Sequence, residues 1–293
     1  MPPGALALVV LAGLIHASWN IAAKHAGGDA RFVAFTGMVM MVFWAPLGIW
    51  LGIQELPVWG LREWCFIAAS AALHTVYFLT LLRGYRKADL TVVYPVARGS
   101  GPLLSSAAAI LLLGEQVSVI GLAGIIGVVA GVFLVAGGPK LLRAAHDPVQ
   151  RARIHKGLRY GAVTGLFIAG YTVVDGYAVK LLAVSPILLD YIGNLFRLAL
   201  LTPAVARDLP AAAGLWRRQW KHAVFVGIVS PVSYVLVLYA MKVAPLSHVA
   251  PAREVSMLFA ALIGGQLLGE GDRLARLAGA ALIAAGVIAL GLG

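Results

Sequence analysis

The chain has 293 residues, of which 61% are hydrophobic and only 12% are charged. A soluble globular domain carries about 25% charged residues, so this composition excludes a water-soluble protein, which would lack the polar surface to cover its core. The formal net charge of +11 does not indicate nucleic acid, because the basic residues lie in short connectors between long apolar runs. The one cysteine, Cys65, excludes an intrachain disulfide and a cysteine-cluster metal site.

Ten apolar runs are long enough to cross a bilayer, because a helix with a rise of about 1.5 Å per residue needs about 20 residues to do so. Helices are expected because lipid offers backbone amides no hydrogen-bond partner. The first run lacks a basic segment before it, so we predict a retained helix and not a signal peptide. The fold class predicted is an all-α integral membrane protein. The runs cover residues 4–23, 31–53, 62–83, 90–113, 117–137, 158–181, 187–206, 219–241, 246–268 and 273–292.

Lysine and arginine are unevenly distributed over the connectors between these runs. Seventeen of the 23 lie in or beside the odd-numbered connectors, three in or beside the even-numbered ones, and three inside helices. Positively charged connectors face the cytoplasm, so we expect both termini on the outer face of a plasma membrane, the inner membrane of a bacterium. The longest connector, a basic linker over 138–157, is then cytoplasmic and separates two five-helix units, 1–137 and 158–293.

The two units resemble copies of each other at an offset of 155 residues. Arg98 and Arg253 each follow a proline closely, and each precedes a glutamate by 17 residues, namely Glu115 and Glu270. Glycine before each glutamate suits a helix end, so we interpret the glutamates as polar caps of tight turns. Because five crossings are an odd number, the second copy enters the membrane from the opposite side. The sequence therefore predicts inverted repeats, which recur in secondary transporters.

The ten helices, the two halves and the P……LLLGE ending of the fourth helix resemble the drug/metabolite transporter superfamily, and more narrowly its EamA-type exporters, which include YddG-like amino-acid exporters. The resemblance implies a basket-like bundle around a central substrate cavity, with alternating access. Small multidrug-resistance members of the superfamily carry a proton-coupling glutamate in the first helix, whereas this chain has no carboxylate before that helix ends. This departure argues against a glutamate-type proton antiport, and His16 or Asp175 could carry the proton instead.

Ionisable groups at membrane depth cost about 2.5–3.5 kcal/mol each and are functional candidates by default. Arg98 and Arg253 lie about two turns into the fourth and ninth helices, where they could anchor a carboxylate. The alternative is a structural ion pair, or side chains that extend to the interface. Glu254 adjoins Arg253, but neighbours on a helix point to different faces, so we do not predict that they pair.

Two polar helix faces are related by the 155-residue offset. His16 and Asn20 lie one turn apart, as do Tyr171 and Asp175. We expect these faces to line the cavity, although inter-helix hydrogen bonding is an alternative. Aromatic residues nearby could stack a planar ligand. The substrate-binding residues that we predict are His16, Trp19, Asn20, His74, Tyr77, Tyr94, Arg98, Tyr171, Asp175, Tyr234 and Arg253.

A polar stripe on the seventh helix holds Asp190, Asn194 and Arg197 at i, i+4 and i+7. Asp190 and Arg197 are about 10 Å apart along the axis, which predicts no simple salt bridge between them. The second helix lacks an equivalent stripe. A substrate-specific site and a contact with one other helix both fit this asymmetry.

The segment VYPVARGSGP at 93–102 combines helix breakers with the charge of Arg98, and VAPARE at 249–254 is its shorter echo. Proline removes a backbone donor and disfavours helix before it, and lipid would not tolerate the freed carbonyls, whereas a cavity would. We therefore predict a pair of hinges. The hinge residues are Pro95, Gly99, Gly101, Pro102 and Pro251.

The function predicted is export of amino acids, aromatic ones included, or related small metabolites, by a secondary or facilitative transporter. The alternatives are an exporter of drugs, sugars or nucleotide-sugars and, from another class, an intramembrane enzyme or a non-transporting subunit. No ATP-binding loop, HExxH or GxSxG motif occurs, so we expect no enzymatic activity, no catalytic residue, no cofactor and no metal. The partners predicted are a small solute and lipid. The protein is expected to be a monomer, with a homodimer as the alternative.

Overall fold

The computed structural model describes residues 1–26, 29–88, 90–136, 148–264 and 273–293. Within these ranges the regular structure is helical and no strand occurs, which confirms the all-α prediction. A short 3-10 turn, Leu56–Val58, follows the third helix. The helices are α1 (Pro3–Ala26), α2 (Ala30–Phe43), α3 (Ala45–Glu55), α4 (Leu61–Lys87), α5 (Leu90–Leu113), α6 (Val119–Val135), α7 (Pro148–Lys180), α8 (Pro186–Ala206), α9 (Leu209–Val243), α10 (Leu246–Ala252), α11 (Val255–Gly264) and α12 (Arg273–Leu292).

Each of the ten predicted runs coincides with one helix or one broken pair. The second run forms α2 and α3, which meet at Trp44 with a bend of 69°; a proline near the start of α3 accounts for the break. The ninth run forms α10 and α11, separated at Arg253–Glu254. The sixth run starts at Pro148 and not at 158, so α7 includes part of the predicted linker.

Six helices in the described ranges are long and apolar enough to cross a membrane, and the bent pair α2–α3 brings the number to as many as seven. These six are α1, α4, α5, α7, α9 and α12. Helix α6 is apolar but has 17 residues, which is the lower limit for a span. Helix α8 is not counted because its polar stripe lowers its mean hydropathy. Helices α10 and α11 are not counted because the break between them leaves each one too short to span a membrane. The result is compatible with ten crossings.

The helix pairings repeat in the two halves. Helix α1 packs on α9 just as its equivalent α7 packs on α4, and α2 packs on α9 just as α8 packs on α4. Helices α6 and α12, which are equivalent to each other, form the most extensive helix pair within the described ranges. Most of the extensive helix contacts therefore join one half of the chain to the other.

Glycines bring α6 and α12 into backbone contact. A Cβ atom on Gly124 would lie 2.9 Å from the carbonyl oxygen of Gly286, and one on Gly131 would lie 2.6 Å from that of Gly279. The 155-residue offset relates Gly124 to Gly279 and Gly131 to Gly286. Since the residue number rises along α6 as it falls along α12, these equivalent helices are antiparallel, as an inverted repeat requires.

The turn after α5 closes one end of the bundle. Gly114 has φ +68°, a conformation that glycine adopts without strain. Glu115 then accepts hydrogen bonds from the amides of Leu246, at 2.8 Å, and Ser247, at 2.9 Å, at the start of α10. Burial raises the pKa of Glu115, but these amide hydrogen bonds outweigh it and hold the pKa below its usual range. The polar-cap interpretation is confirmed for Glu115, whereas Glu270 lies outside the described residues.

Candidate functional site

A cavity of about 510 Å³ lies between the two halves, a volume typical of small-molecule sites. Its wall is formed by α1, α2, α4, α5, α7, α8, α9, α11 and the turn before α11. Every one of the helices that carries a predicted substrate-binding residue thus contributes to a single space.

The cavity extends toward one end of the bundle. Its wall includes Ala23 near the end of α1, Phe32 near the start of α2 and Tyr85 near the end of α4. These residues adjoin the basic first and third connectors. The opposite end is closed by the turn that Glu115 holds and by Glu55, which accepts a hydrogen bond of 3.3 Å from the amide at the start of α8. The cavity therefore extends toward the basic connectors, and neither Glu115 nor Glu55 belongs to its wall.

Two arginines and one glutamate form a cluster on the cavity wall. Arg98 Nη1 lies 3.6 Å from Glu254 Oε2, and Arg253 Nε lies 3.7 Å from Glu254 Oε1. Arg98 belongs to the first half and Arg253 is its equivalent in the second, at the offset of 155 residues. The repeat thus brings its two copies of one arginine to the same carboxylate.

This cluster is incompletely paired. Charge-assisted hydrogen bonds are usually about 2.7–2.9 Å long, and both contacts exceed that length. Glu254 Oε2 is buried without a hydrogen-bond partner in the described structure. Two guanidinium groups around one carboxylate leave a surplus positive charge, and their remaining N–H donors are free for a second carboxylate.

The pairing of Arg253 with Glu254 contradicts the expectation that these neighbours face apart. That expectation holds for a continuous helix, but α10 ends at Ala252 and α11 begins at Val255. In the intervening turn successive side chains no longer diverge by 100°. Pro251, one of the predicted hinge residues, lies inside α10, one residue before the end of that helix.

Aromatic rings surround the arginines. The guanidinium of Arg98 lies 5.7 Å from the centre of the Tyr94 ring, and that of Arg253 lies 5.8 Å from the centre of the Tyr171 ring, distances typical of cation–π contacts. On α1, Trp19 donates a hydrogen bond of 3.0 Å to Ser233 Oγ. The cavity thus combines a positive cluster with flat apolar surfaces.

A second group of polar residues lies at the cavity wall, with one buried carboxylate behind it. Tyr171 stacks on His74 with ring centres 3.9 Å apart, and Tyr234 donates a hydrogen bond to Asp175 Oδ2. Tyr171, His74 and Tyr234 line the cavity, whereas Asp175 is fully buried and does not. The prediction that Asp175 lines the cavity is therefore wrong, because α7 presents Tyr171 to the cavity and turns Asp175 toward α9 and α4.

The stripe on α8 also faces the cavity. Arg197 Nη2 lies 3.0 Å from Asp190 Oδ1, so the expectation that they are too far apart to pair is wrong. The axial distance between i and i+7 is about 10 Å, but the two residues share a face and the long arginine side chain extends back along it. Asn194 donates a hydrogen bond of 3.0 Å to the carbonyl of Gly37 on α2.

The predicted hinge in α5 is helical in this structure. Helix α5 continues through Pro95 and Pro102 without a break. A Cβ atom on Gly101 would lie 2.6 Å from the side chain of Ile168 on α7, so Gly101 permits a close helix contact. Gly99 has more space, with its nearest neighbouring atom 3.9 Å from such a Cβ. Hinge motion at these residues stays a prediction.

Ten of the eleven predicted substrate-binding residues share the cavity wall; their role in binding stays a prediction. Sequence reasoning left out Asp190, Asn194 and Arg197, although their stripe was visible as i, i+4 and i+7, and it left out Glu254. The ten on the wall are His16, Trp19, Asn20, His74, Tyr77, Tyr94, Arg98, Tyr171, Tyr234 and Arg253.

Comparison with known proteins identifies relatives of this chain. The model of the EamA-like transporter family matches twice, over residues 3–137 and 155–292, so the two halves are copies of one unit. A solved crystal structure is similar over 100% of this chain and 98% of its own, with a TM-score of 0.75 and 18% identity. At that identity the similarity shows the fold alone. No curated protein matches the sequence.

Proposed function

Because the chain belongs to the EamA-like transporter family and is a membrane transporter of small solutes, we propose that it exports amino acids, aromatic ones included, by alternating access. The proposal depends on one observation above all: Arg98 and Arg253 meet at the cavity wall and share a single glutamate. Membership of the family indicates that the protein is a transporter, and the arginine cluster supports a solute that carries a carboxylate.

A carboxylate is the group that this cluster fits. Each guanidinium has five N–H donors in a planar fork that binds carboxylates in a bidentate manner. Arg253 uses one donor on the hydroxyl of Tyr171, at 3.4 Å, and Arg98 donates no hydrogen bond to any residue in the described ranges. A solute carboxylate between the two arginines would complete their pairing in an environment largely removed from water.

The rest of an amino acid finds complementary surfaces nearby. The rings of Tyr171, Tyr234 and His74 lie beside Arg253, and aromatic faces attract cations such as an ammonium group. The apolar wall and the volume of about 510 Å³ accommodate a large side chain. Sugars and nucleotide-sugars present many hydroxyl groups, which this mostly apolar wall does not match.

Alternating access would use the repeat symmetry. The cavity reaches the ends of α1, α2 and α4 on one side, while the turns held by Glu115 and Glu55 close the other side. Because the halves are inverted copies, exchanging their conformations would open the closed end and close the open one. At Trp44 and at Arg253–Glu254 the helices are already interrupted, so we expect bending to occur at these positions.

Counterflow in proteoliposomes tests the function. Purified protein should accelerate exchange of labelled L-phenylalanine with unlabelled amino acid. Arg98→Ala should reduce the rate at least tenfold, since a charge-assisted hydrogen bond is worth about 1.5–3 kcal/mol, and Arg98→Lys should restore part of it. Arg218→Ala, at an exposed arginine of α9 outside the cavity, should leave the rate unchanged.

Two truncated solutes test the anchor itself. Phenylpropionate retains the carboxylate and lacks the amine, whereas phenethylamine retains the amine and lacks the carboxylate. We expect phenylpropionate to compete with phenylalanine in the wild type and phenethylamine to compete poorly. Stronger competition by phenethylamine would contradict the carboxylate anchor, and wild-type protein that exchanges no amino acid at all would overturn the proposed function.

A further inference from the structure

We propose that Asp175 is a proton-binding site that exchanges its proton against the exported solute, with Tyr234 and His74 as the groups that connect it to the cavity. This proposal rests on the proposed function, because it assigns the energy coupling of the same cavity. It would make the protein a proton antiporter and not a facilitator.

The geometry of Asp175 is that of a carboxylate without enough partners. Its side chain is fully buried; the hydroxyl of Tyr234 donates a hydrogen bond to Oδ2, and the hydroxyl of Ser70 on α4 also interacts with the carboxylate. His74 Nε2 is 4.0 Å from Oδ2, which is too long for a hydrogen bond. Oδ1 is buried with no hydrogen-bond partner in the described part of the chain. An ionised carboxylate so placed is costly, and a proton on Oδ1 removes the cost.

The charged and titratable groups around Asp175 can be assigned helix by helix. Helix α9 contributes Tyr234 and α4 contributes His74. Helix α8 contributes Asp190 and Arg197, but these pair with each other at 3.0 Å and largely cancel.

The remaining neighbours lie on α5, α7 and the segment around α10. The one charged residue of α5, Arg98, belongs to the cluster with Glu254. On α7 itself, Tyr171 lies one turn from Asp175 and takes a hydrogen bond from Arg253. His248 of α10 lies against Gly121 of α6. No full charge in the described structure is therefore committed to Asp175.

The position of Asp175 suits exchange. It lies five residues before the end of α7 at Lys180, about 7.5 Å along the axis, between the cavity and the closed end of the bundle. From the cavity it is separated by Tyr234 and His74, which line the wall. Opening of the closed end would bring outside water toward Asp175, whereas in the present structure Asp175 contacts the cavity wall through the hydroxyl of Tyr234.

The proton and the solute ammonium compete for the negative charge of Asp175, and this competition would couple proton movement to solute transport. An amino acid whose carboxylate is held by Arg98 and Arg253 places its ammonium against Tyr171, His74 and Tyr234, close to Asp175. Ionised Asp175 attracts that ammonium, and protonated Asp175 does not. From the outer side, a proton forms an O–H bond on Oδ1 and weakens solute binding. On the cytoplasmic side, that bond breaks, the proton passes to water, and solute binds.

Two transport measurements in proteoliposomes distinguish proton-driven accumulation of the solute from simple exchange of solute across the membrane. The vesicles are more acidic inside than outside, and potassium with valinomycin clamps the membrane potential. Wild type should accumulate labelled L-phenylalanine, by up to about tenfold for a gradient of one pH unit with one-for-one exchange. Asp175→Asn should abolish accumulation and raise the phenylalanine concentration needed for half-maximal counterflow, because the neutral amide no longer attracts the solute ammonium, whereas counterflow at saturating phenylalanine should persist. Asp175→Glu should restore accumulation, and Asp208→Asn, at an exposed aspartate that caps α9, should change neither.

Several outcomes overturn the proposal. Accumulation retained in Asp175→Asn, counterflow lost in that variant even at saturating phenylalanine, or wild-type counterflow without any response to the pH gradient would each exclude Asp175 as the coupling site. Absence of wild-type counterflow would instead overturn the proposed function. The two failures are therefore distinguishable.

A second variant keeps the test decisive where Asp175→Asn does not fold. Tyr234→Phe removes the O–H donor that favours the ionised carboxylate, so the midpoint of the pH profile of accumulation should move to higher pH. Tyr239→Phe, at an exposed tyrosine on the same helix, should leave the midpoint in place. An unchanged midpoint in Tyr234→Phe would contradict the role of this hydrogen bond and of Asp175 in proton binding.

Discussion

Glu254 is the residue whose position most changes the interpretation of the cavity. Its side chain is only 2% exposed and lies between two arginines from different halves. Removing a carboxylate from a buried pair normally costs several kcal/mol because it leaves an unpaired charge. Here the solute can supply the missing charge. Glu254 is therefore expected to act as an internal counter-anion that competes with the solute carboxylate for the two arginines.

The Glu254→Gln variant tests this competition. Without the internal carboxylate, the apparent Kd for phenylalanine should fall about tenfold, equivalent to about 1.4 kcal/mol, and counterflow should slow because release is harder. Equilibrium binding to purified protein measures the first effect and counterflow the second. Glu63→Gln, where the side chain caps α4 by accepting from Gly60 at 2.8 Å, serves as control. Weaker binding in Glu254→Gln would instead mean that Glu254 holds the solute ammonium.

Sequence reasoning located the arginines but not their partners. Arg98 and Arg253 were visible as charges inside apolar runs, and that signal needs only hydropathy. The Arg253–Glu254 contact depends on a helix break of two residues, and the Asp190–Arg197 contact depends on how far one side chain extends. Neither quantity follows from spacing along an ideal helix, because both are decided by the packing of neighbouring helices.

At the scale of elements, the contact of α6 with α12 is set by glycines. A side chain at Gly131 would meet the backbone oxygen of Gly279 at 2.6 Å, and a backbone atom cannot move aside as a flexible side chain can. Small residues of this kind let membrane helices approach closely and associate through van der Waals contact. The four glycines of this contact are thus expected to tolerate no larger residue.

We predict that Gly131→Ala destabilises the protein by roughly 1–3 kcal/mol, the usual cost of overpacking. Thermal unfolding in detergent, followed by loss of the monodisperse peak in size-exclusion chromatography, measures the change as a lower midpoint. Gly193→Ala on α8 is the matched control, since no atom lies within 4 Å of a Cβ atom there. A midpoint for Gly131→Ala equal to that of the control would refute close packing at this contact.

The positions of the helices could be predicted from the sequence, whereas the positions at which helices break could not. Runs of apolar residues determine where a span lies, because lipid permits few alternatives. The breakers at Pro95 and Pro102 predicted a softened α5, yet the helix is continuous, and the pairing of Gly101 with Ile168 shows that α7 packs along it. A bend of 69° lies instead at Trp44, where one proline follows the break. Tertiary packing decides which proline bends its helix.

At the scale of the whole molecule, the cavity and the basic connectors lie at the same end. Ala23, Phe32 and Tyr85 line the cavity next to the first and third connectors, two of the five odd-numbered connectors that together hold 17 of the 23 lysine and arginine residues. In the predicted orientation the basic connectors face the cytoplasm, and the cavity would then extend toward the cytoplasm. The proposed exporter would take up its solute in such a state.

Cysteine labelling tests both the orientation and this state. Replacing the one native cysteine, Cys65→Ser, gives a background for two single-cysteine variants: Tyr85→Cys at the cavity mouth, and Leu181→Cys, at a residue 60% exposed beyond the end of α7. A membrane-impermeant maleimide should label Leu181→Cys in intact cells and Tyr85→Cys only in inverted vesicles. Added phenylalanine should slow labelling at Tyr85, because the occupied cavity closes toward the cytoplasm during transport. The reverse pattern of labelling would overturn the orientation, and with it the direction of export, because the solute would then enter the cavity from outside.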